Sequence, residues 1–330
     1  MIRRRFLQQS AALGVASLLA VAERVCAAPL ETTKVRLVHS PSICLAPQYL
    51  AEEFLRMEGF TEVEYVKDWT TYPAKAIAED KADFCQDAAW TFLASVDSGG
   101  STVALGGAHV GCYELFVNER VRGIRDLKGK TISIPSYGSP NHILLESIFA
   151  YVGINPVKDV KWITGPAGPD AMALYLEGQA DAYMAFPPQG HELRAKKAGR
   201  VILDTSVDRP WAHYFCCIFV GHRDYLDRYP NATKCVLRAF LKATDICAQD
   251  PPRAARMLVD GGYQPRYDVA LEVIKELPYN RWRESNPEDT LRFYALRLRE
   301  LGMIKTTPQK IIAQCTDWRF LNELKKEMKA

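Results

Sequence analysis

The chain has 330 residues, of which 48% are hydrophobic and 25% charged. That composition excludes extended disorder, a collagen-like repeat and a coiled coil, and the length favours two lobes over one enlarged core. The formal charge of +3 belongs to the N-terminus: without Arg3, Arg4, Arg5 and Arg24 against Glu23, 38 basic residues face 38 acidic ones. A basic nucleic-acid-binding surface is therefore not expected.

Residues 1–28 read as an export signal. Three arginines lead into an apolar stretch at 11–22, and Val25-Cys26-Ala27-Ala28 is a cleavage site near residue 27 or 28. The stretch is too short to span a bilayer, which needs about 20 residues. Arg3-Arg4-x-Phe6-Leu7 resembles the twin-arginine motif, with Gln8 where Lys is more usual. The general secretory route stays open, and so does lipidation of Cys26, although Glu23-Arg24-Val25 is a poor lipid-attachment box. The mature chain is expected in the periplasm. Eight cysteines remain there (44, 85, 112, 216, 217, 235, 247 and 315), none in a C-x-x-C. Most are expected as buried thiols, with one bridge at most.

The elements then repeat. A strand at 35–39 meets the loop Ser40-Pro41-Ser42, and a helix at 47–58 closes on Gly59 before a strand at 62–66. About 96 residues later the order recurs: strand 131–135, a loop from Ser136 to Pro140, helix 141–152, Gly153 and strand 160–163. A helix at 74–80 entering strand 82–84 likewise corresponds to a helix at 170–176 entering strand 180–183. Gly99-Gly100 and Gly106-Gly107 read as turns flanking a strand. Residues 213–220 read as a buried strand that returns to the first lobe, and the remainder as helices 231–248, 252–259, 266–276, 287–301 and 318–328. Two βαβαβ halves imply an α/β fold of two lobes, with mostly parallel sheets flanked by helices and a helical C-terminal region. Residues 29–117 and 221–330 are assigned to the first lobe, residues 118–220 to the second, with a ligand cleft between them.

Ligands in such sheets lie beyond the carboxyl ends of the strands, where helix N-termini favour anions. The candidate ligand-binding residues are Ser40 and Ser42, then Gln86 and Asp87 at a strand end. In the second lobe they are Ser136, Tyr137, Ser139, Asn141, His142 and Phe186. Trp211, His213 and Tyr214, at the return crossing, complete the set. Ser139 and Asn141 also suit a plain capping role. The six histidines show no H-E-x-x-H and no i,i+4 pair, so neither metal nor cofactor is expected. There is no G-x-S-x-G and no phosphate-binding Gly-Lys loop, so no catalytic residue is named. Cys216 and Cys217 are expected on opposite faces of their strand.

These residues resemble a known family. Asp126-Leu127-Lys128-Gly129-Lys130 with Ile134-Pro135-Ser136-Tyr137-Gly138-Ser139-Pro140 resembles the second-lobe entry of nitrate/sulfonate/taurine-type binding proteins of ABC importers. Gly178-x-x-Asp181-Ala182 is similar to a pattern of that family, as are Tyr229-Pro230 and Asp250-Pro251. The resemblance implies a type II periplasmic-binding fold, capture of a small-molecule ligand by lobe closure, and delivery to a membrane permease. It also implies a monomer without enzymatic activity. No Arg or Lys sits in the ligand loops, so an uncharged ligand or a hydrogen-bonded anion both stay open. Two other readings remain: a binder of a heteroaromatic vitamin precursor, since thiamine-pyrimidine synthases share the fold, and an exported enzyme or redox protein.

Overall fold

The computed structural model describes residues 29–40, 42–67, 72–165 and 170–328. The expected export signal and Pro41 lie outside the described residues. The first lobe opens with β1 (Lys34–Val38), a 3-10 turn at Ile43–Leu45 and α1 (Ala46–Glu58). It continues through β2 (Glu62–Val66), α2 (Pro73–Ala78), β3 (Phe84–Ala88), α3 (Ala89–Asp97) and β4 (Thr102–Val110). The chain then crosses to β5 (Glu114–Val117), β6 (Thr131–Ser133), α4 (Pro140–Val152), β7 (Lys161–Ile163) and α5 (Ala171–Leu176). The second lobe ends with β8 (Ala182–Ala185), α6 (Gln189–Ala195) and β9 (Arg200–Asp204). β10 (Phe215–His222) returns, followed by α7 (Arg223–Arg228), α8 (Pro230–Gln249), α9 (Pro251–Asp260) and α10 (Tyr267–Glu276). The last helices are α11 (Pro287–Glu300), α12 (Pro308–Cys315) and α13 (Arg319–Glu327).

The two sheets have the same build. The first runs β2-β1-β3-β10-β4 and the second β7-β6-β8-β5-β9. In each, three parallel strands are followed by an antiparallel strand lent by a crossing, and by an edge strand. The expected lobe boundaries at 117 and 220 are corrected by this pairing. β5 belongs to the second sheet and β10 to the first, because each crossing strand pairs with the lobe it enters.

The repeat extends to side chains. Gly59 and Gly153 end α1 and α4 in the left-handed region, at φ 104° and 77°. Asp83 and Asp181, which precede β3 and β8, each accept the amide of a neighbouring parallel strand. Arg36 N donates to Asp83 Oδ2 at 2.7 Å, and Thr131 N to Asp181 Oδ2 at 3.0 Å. Arg36 adds two side-chain bonds to Asp83, while Asn118 and Arg120 bind Asp181.

All eight residues of β10 are buried, which is why its sequence is a continuous apolar run rather than an alternation. Gly106 and Gly107, expected in a turn, lie inside β4 opposite β10. The reason at Gly107 is space: a Cβ there would stand 2.4 Å from the Phe215 ring. Seven cysteines (44, 85, 112, 216, 217, 247 and 315) are free thiols, and all but Cys315 are buried. Among the described residues no helix is long and apolar enough to cross a membrane.

Two outcomes test this account. Gly107→Ala should overpack the sheet and cost about 1–3 kcal/mol, read as a lowered urea midpoint. Asp181→Ala should cost about 1–2 kcal/mol by leaving the Thr131 amide unpaired. Burial opposes ionisation of Asp181, but the Thr131 amide, Asn118 and the Arg120 charge outweigh it and hold the carboxyl below its usual value. A depressed carboxylate stabilises the fold above its unfolded pKa, so the difference between wild type and variant should shrink as pH falls below about 4.

Candidate functional site

The amino end of α4 stands at the seam between the lobes, where Trp90 Nε1 from α3 donates to Pro140 O at 2.8 Å. Pro140 occupies the first turn, and Ser139 sits at the N-cap with extended backbone but makes no capping bond. Its hydroxyl is buried without a partner, so the plain capping role does not describe it. Asn141, by contrast, is engaged: Nδ2 donates to Met184 O at 2.6 Å and ties α4 to β8.

His142 is the most informative side chain of this loop. Its Nδ1 accepts the amide of Gly138 at 3.2 Å, so the ring proton resides on Nε2. That N–H is buried and unpartnered. Burial lowers the pKa of His142 to about 4, so the ring is neutral at pH 7 and offers a donor rather than a charge. Glu146 approaches Nδ1 at 3.6 Å, and burial pushes its carboxyl up to about 7. Tyr137 and Trp162 flank the imidazole edge-on, at 5.2 and 4.8 Å between ring centroids. Ser136 and Tyr137 are themselves exposed. Ser133, at the carboxyl end of β6, adds another buried hydroxyl without a partner. An unsatisfied buried polar group costs roughly 1–3 kcal/mol, and the three span one connection, from the end of β6 to the first turn of α4.

In the first lobe, the Ser40 amide donates to the Tyr49 hydroxyl at 2.7 Å, and that hydroxyl donates back to Ser40 O. Tyr49 in turn stacks on Tyr263 at 4.1 Å. Ser42 Oγ lies 3.0 Å from Cys44 Sγ. β3 runs on to Ala88 rather than stopping at Phe84, so Gln86 and Asp87 are strand residues, not strand-end ones. Gln86 donates from its amide to Gln48 Oε1 at 2.7 Å and from Nε2 to Cys44 O at 3.0 Å. Its Oε1 remains free and buried. Asp87 accepts from the amides of Ala74 and Ala88, both at 2.7 Å, and from the Thr91 hydroxyl at 3.0 Å. These bonds brace the starts of α2 and α3, although burial still pushes the carboxyl up to about 7. Asp87 has its oxygens committed within its own lobe.

The return crossing behaves differently. Residues Trp211–His213 form a 3-10 turn, and the strand begins only at Phe215. Trp211 is buried edge-on to Tyr151 at 5.5 Å, and Tyr214 stacks on Phe293 of α11 at 4.1 Å. His213 is exposed and lines an open depression with Tyr214, Arg281, Asp289 and Arg292. The structure thus joins these three to α4 and α11. Phe186 does reach the seam, 6.0 Å from Tyr113, which packs 5.4 Å from Trp90. Trp90 and Tyr113 escaped the sequence reading because nothing local distinguishes a seam aromatic from a core one. The lobes also meet through Glu276 of α10, 3.1 Å from His191 and 3.0 Å from Arg194 of α6.

Cys216 and Cys217 do not face opposite ways. Their sulfurs are 3.9 Å apart, because the pairing of β10 with β4 slips between Phe215 and Cys217 and leaves Cys216 as an extra residue. Cys216 Sγ meets Cys112 Sγ at 3.0 Å, while Cys217 gathers with Cys44 and His109. Hydrogen bonds from Cys112, Cys216 and Cys44 hold the Cys217 thiol well below its ordinary range, against burial. For His109 burial opposes the charged ring, but the Cys217 charge and the sulfur contacts outweigh it and raise the pKa. Spacing points to no metal ligands; the fold assembles two cysteines and a histidine from three elements.

No curated protein matches the chain by sequence. Solved structures do match by shape. The periplasmic nitrate-binding protein NrtA from Synechocystis PCC 6803 aligns over 92% of this chain and 90% of its own, with TM-score 0.73 and 16% identity. The alkanesulfonate-binding protein SsuA from Xanthomonas axonopodis pv. citri, bound to MOPS, aligns over 87% of this chain and 99% of its own, with TM-score 0.70 and 16% identity. The aliphatic sulphonate-binding SsuA from Escherichia coli aligns over 86% and 98%, with TM-score 0.66 and 16% identity. At these identities the likeness is one of fold, and the expected two-lobed periplasmic-binding fold is the one observed. The NMT1-like family profile matches residues 85–259, more than half of the chain, spanning the end of the first parallel unit, the whole second lobe and β10. The chain belongs to the NMT1-like family.

Proposed function

We propose that this protein is the solute-binding component of an ABC importer, exported to the periplasm by the signal in residues 1–28. It captures a small organic or inorganic anion between its lobes and presents the closed form to a permease, acting as a monomer without catalysis. The observation that carries this reading is the pair of unpartnered buried donors, Ser139 Oγ and His142 Nε2, at the amino end of α4. A helix of 13 residues brings free amides and a partial positive charge to the same place. An anion is thereby bound through dipoles and donors alone, which suits loops without Arg or Lys. Only a ligand that binds the closed state better shifts the lobes toward closure. The family membership and the nitrate- and sulfonate-binding neighbours support the same class.

Isothermal titration of the mature chain with nitrate, methanesulfonate and taurine tests the class. His142→Ala and Ser139→Ala should each weaken the bound solute at least tenfold, about 1.4 kcal/mol, with the melting temperature retained. Unchanged affinity in both variants would remove this loop from the site. His142→Gln, which restores a side-chain N–H donor, should recover part of the loss.

The pH response separates an anion from a neutral solute. Glu146 has its pKa raised to about 7, so its carboxyl is neutral below that pH and ionises beside His142 above it. Anion affinity should therefore fall as pH rises from 6 to 8, and Glu146→Gln should flatten that profile. A second reading, a heteroaromatic vitamin precursor, rests on Trp90, Tyr113 and Phe186 at the seam; such a neutral solute would show no such slope.

A further inference from the structure

We propose that Cys44, His109 and Cys217 form a buried binding site for a thiophilic d10 cation, Zn(II) or Cu(I). The three residues come from the turn Ile43–Leu45, from β4 and from β10, and their ligand atoms all lie within 4.8 Å of one another. Two sulfurs bound at about 2.3 Å to a tetrahedral centre stand about 3.8 Å apart. Side-chain shifts well under the length of a bond therefore bring all three onto one ion.

The imidazole is oriented as a ligand. His109 Nδ1 lies 3.2 Å from Val110 O and 3.3 Å from Gly111 O, and carbonyls only accept, so Nδ1 carries a proton. Nε2 is left for the sulfurs of Cys44 and Cys217, on a ring with no exposed surface. A ligating histidine ordinarily donates its second N–H to a carbonyl in this way. Buried cysteines alone are usually inert packing, but packing needs no fully buried imidazole turned toward two thiols.

The surroundings select the class of ion. Among the described residues no carboxylate joins the cluster: Asp87, on the neighbouring strand, has its oxygens on the Ala74 and Ala88 amides. That donor set disfavours calcium and magnesium and suits a soft ion bound through thiolate and imidazole. Cys112, whose thiol is in hydrogen-bond contact with both Cys44 and Cys217, supplies a third sulfur as the fourth ligand for tetrahedral zinc. Binding is coordination only: the protons that Cys44, Cys217 and His109 Nε2 hold between them pass to solvent, and no electron moves. Gln86 and Tyr279 already hold Cys44 O, at 3.0 and 3.1 Å, so the turn is held in place before an ion arrives. The inference does not depend on the solute reading, because these ligands lie in the first lobe and not on the α4 loop.

The test uses the mature chain, chelator-stripped and reduced under anaerobic conditions. Co(II) titration, as a probe for zinc, should give a thiolate-to-cobalt charge-transfer band saturating at one equivalent, which Zn(II) then displaces. Competition with a chromophoric Cu(I) chelator shows which of the two ions is held more tightly. Cys217→Ser and His109→Ala should each weaken binding at least a hundredfold, while Cys247→Ser, a buried thiol on α8, should bind like wild type. If the site variants fail to fold, X-ray absorption of the zinc-loaded wild type decides: sulfur and imidazole ligands support the site, and a shell of oxygens overturns it. A folded, reduced wild type that takes up neither ion overturns it as well, as does binding that survives both substitutions.

Discussion

The architecture depends on β10 lying antiparallel between β3 and β4. A central strand satisfies the backbone groups on both of its edges, and removing it would leave two ladders unpaired in the interior. Yet β10 begins at Phe215, after the chain has traversed the whole second lobe. The first sheet is therefore discontinuous in the chain, whereas the second, β5 to β9, is one continuous segment. The two crossings consequently run side by side and are strapped together. Thr205 Oγ1 accepts the amides of Cys112 and Tyr113, at 3.1 and 2.8 Å. Gly111 adopts φ +38°, and a Cβ there would stand 2.1 Å from Thr205 O, so the close approach requires glycine.

That strapping bears on the site. The lobes touch through a few directed contacts, Trp90 on Pro140 and Glu276 on His191 and Arg194, while the loops between them keep polar atoms unsatisfied. The buried carboxylates Asp83, Asp87 and Asp181, by contrast, all accept backbone amides. Between the end of β6 and the first turn of α4, Ser133, Ser139 and His142 each keep a buried polar atom free. A buried donor left free is unfavourable in isolation, and its cost is recovered when a ligand supplies the acceptor. The neutrality of His142 fits such a role, because a donor without charge holds an anion without a salt-bridge partner to desolvate.

The sulfur cluster arises from the same crossing. Had β10 kept strict alternation, Cys216 and Cys217 would face opposite sides of the sheet. The register slip beside Phe215 brings both sulfurs to one side, where Cys112 arrives from the outgoing crossing and Cys44 from the turn before α1. Bulges recur where a strand must re-aim side chains, and here the bulge sits where the chain enters the first sheet.

Much of the fold was legible from residue order. Strand β1, helix α1, Gly59 and strand β2, and their counterparts β6, α4, Gly153 and β7, follow from periodicity and capping within a dozen residues. Less of the site was. A helix N-terminus marks Ser139 and His142 in the sequence, whereas the bonds of Asn141 and Asp87 within their own lobes and the packing of Trp211 and Tyr214 on α4 and α11 depend on distant residues. The extent of β3 was misjudged because a fully buried strand lacks alternation, and β4 was obscured by Gly106 and Gly107. By itself the sequence determined two βαβαβ halves and the polar loops at their strand ends, since local patterning specifies those. Only the tertiary structure decided which sheet each crossing strand joins, which thiols meet and which donors are left free. Those outcomes turn on contacts such as Cys112 with Cys216, 104 residues apart, where packing and not local propensity selects the partner.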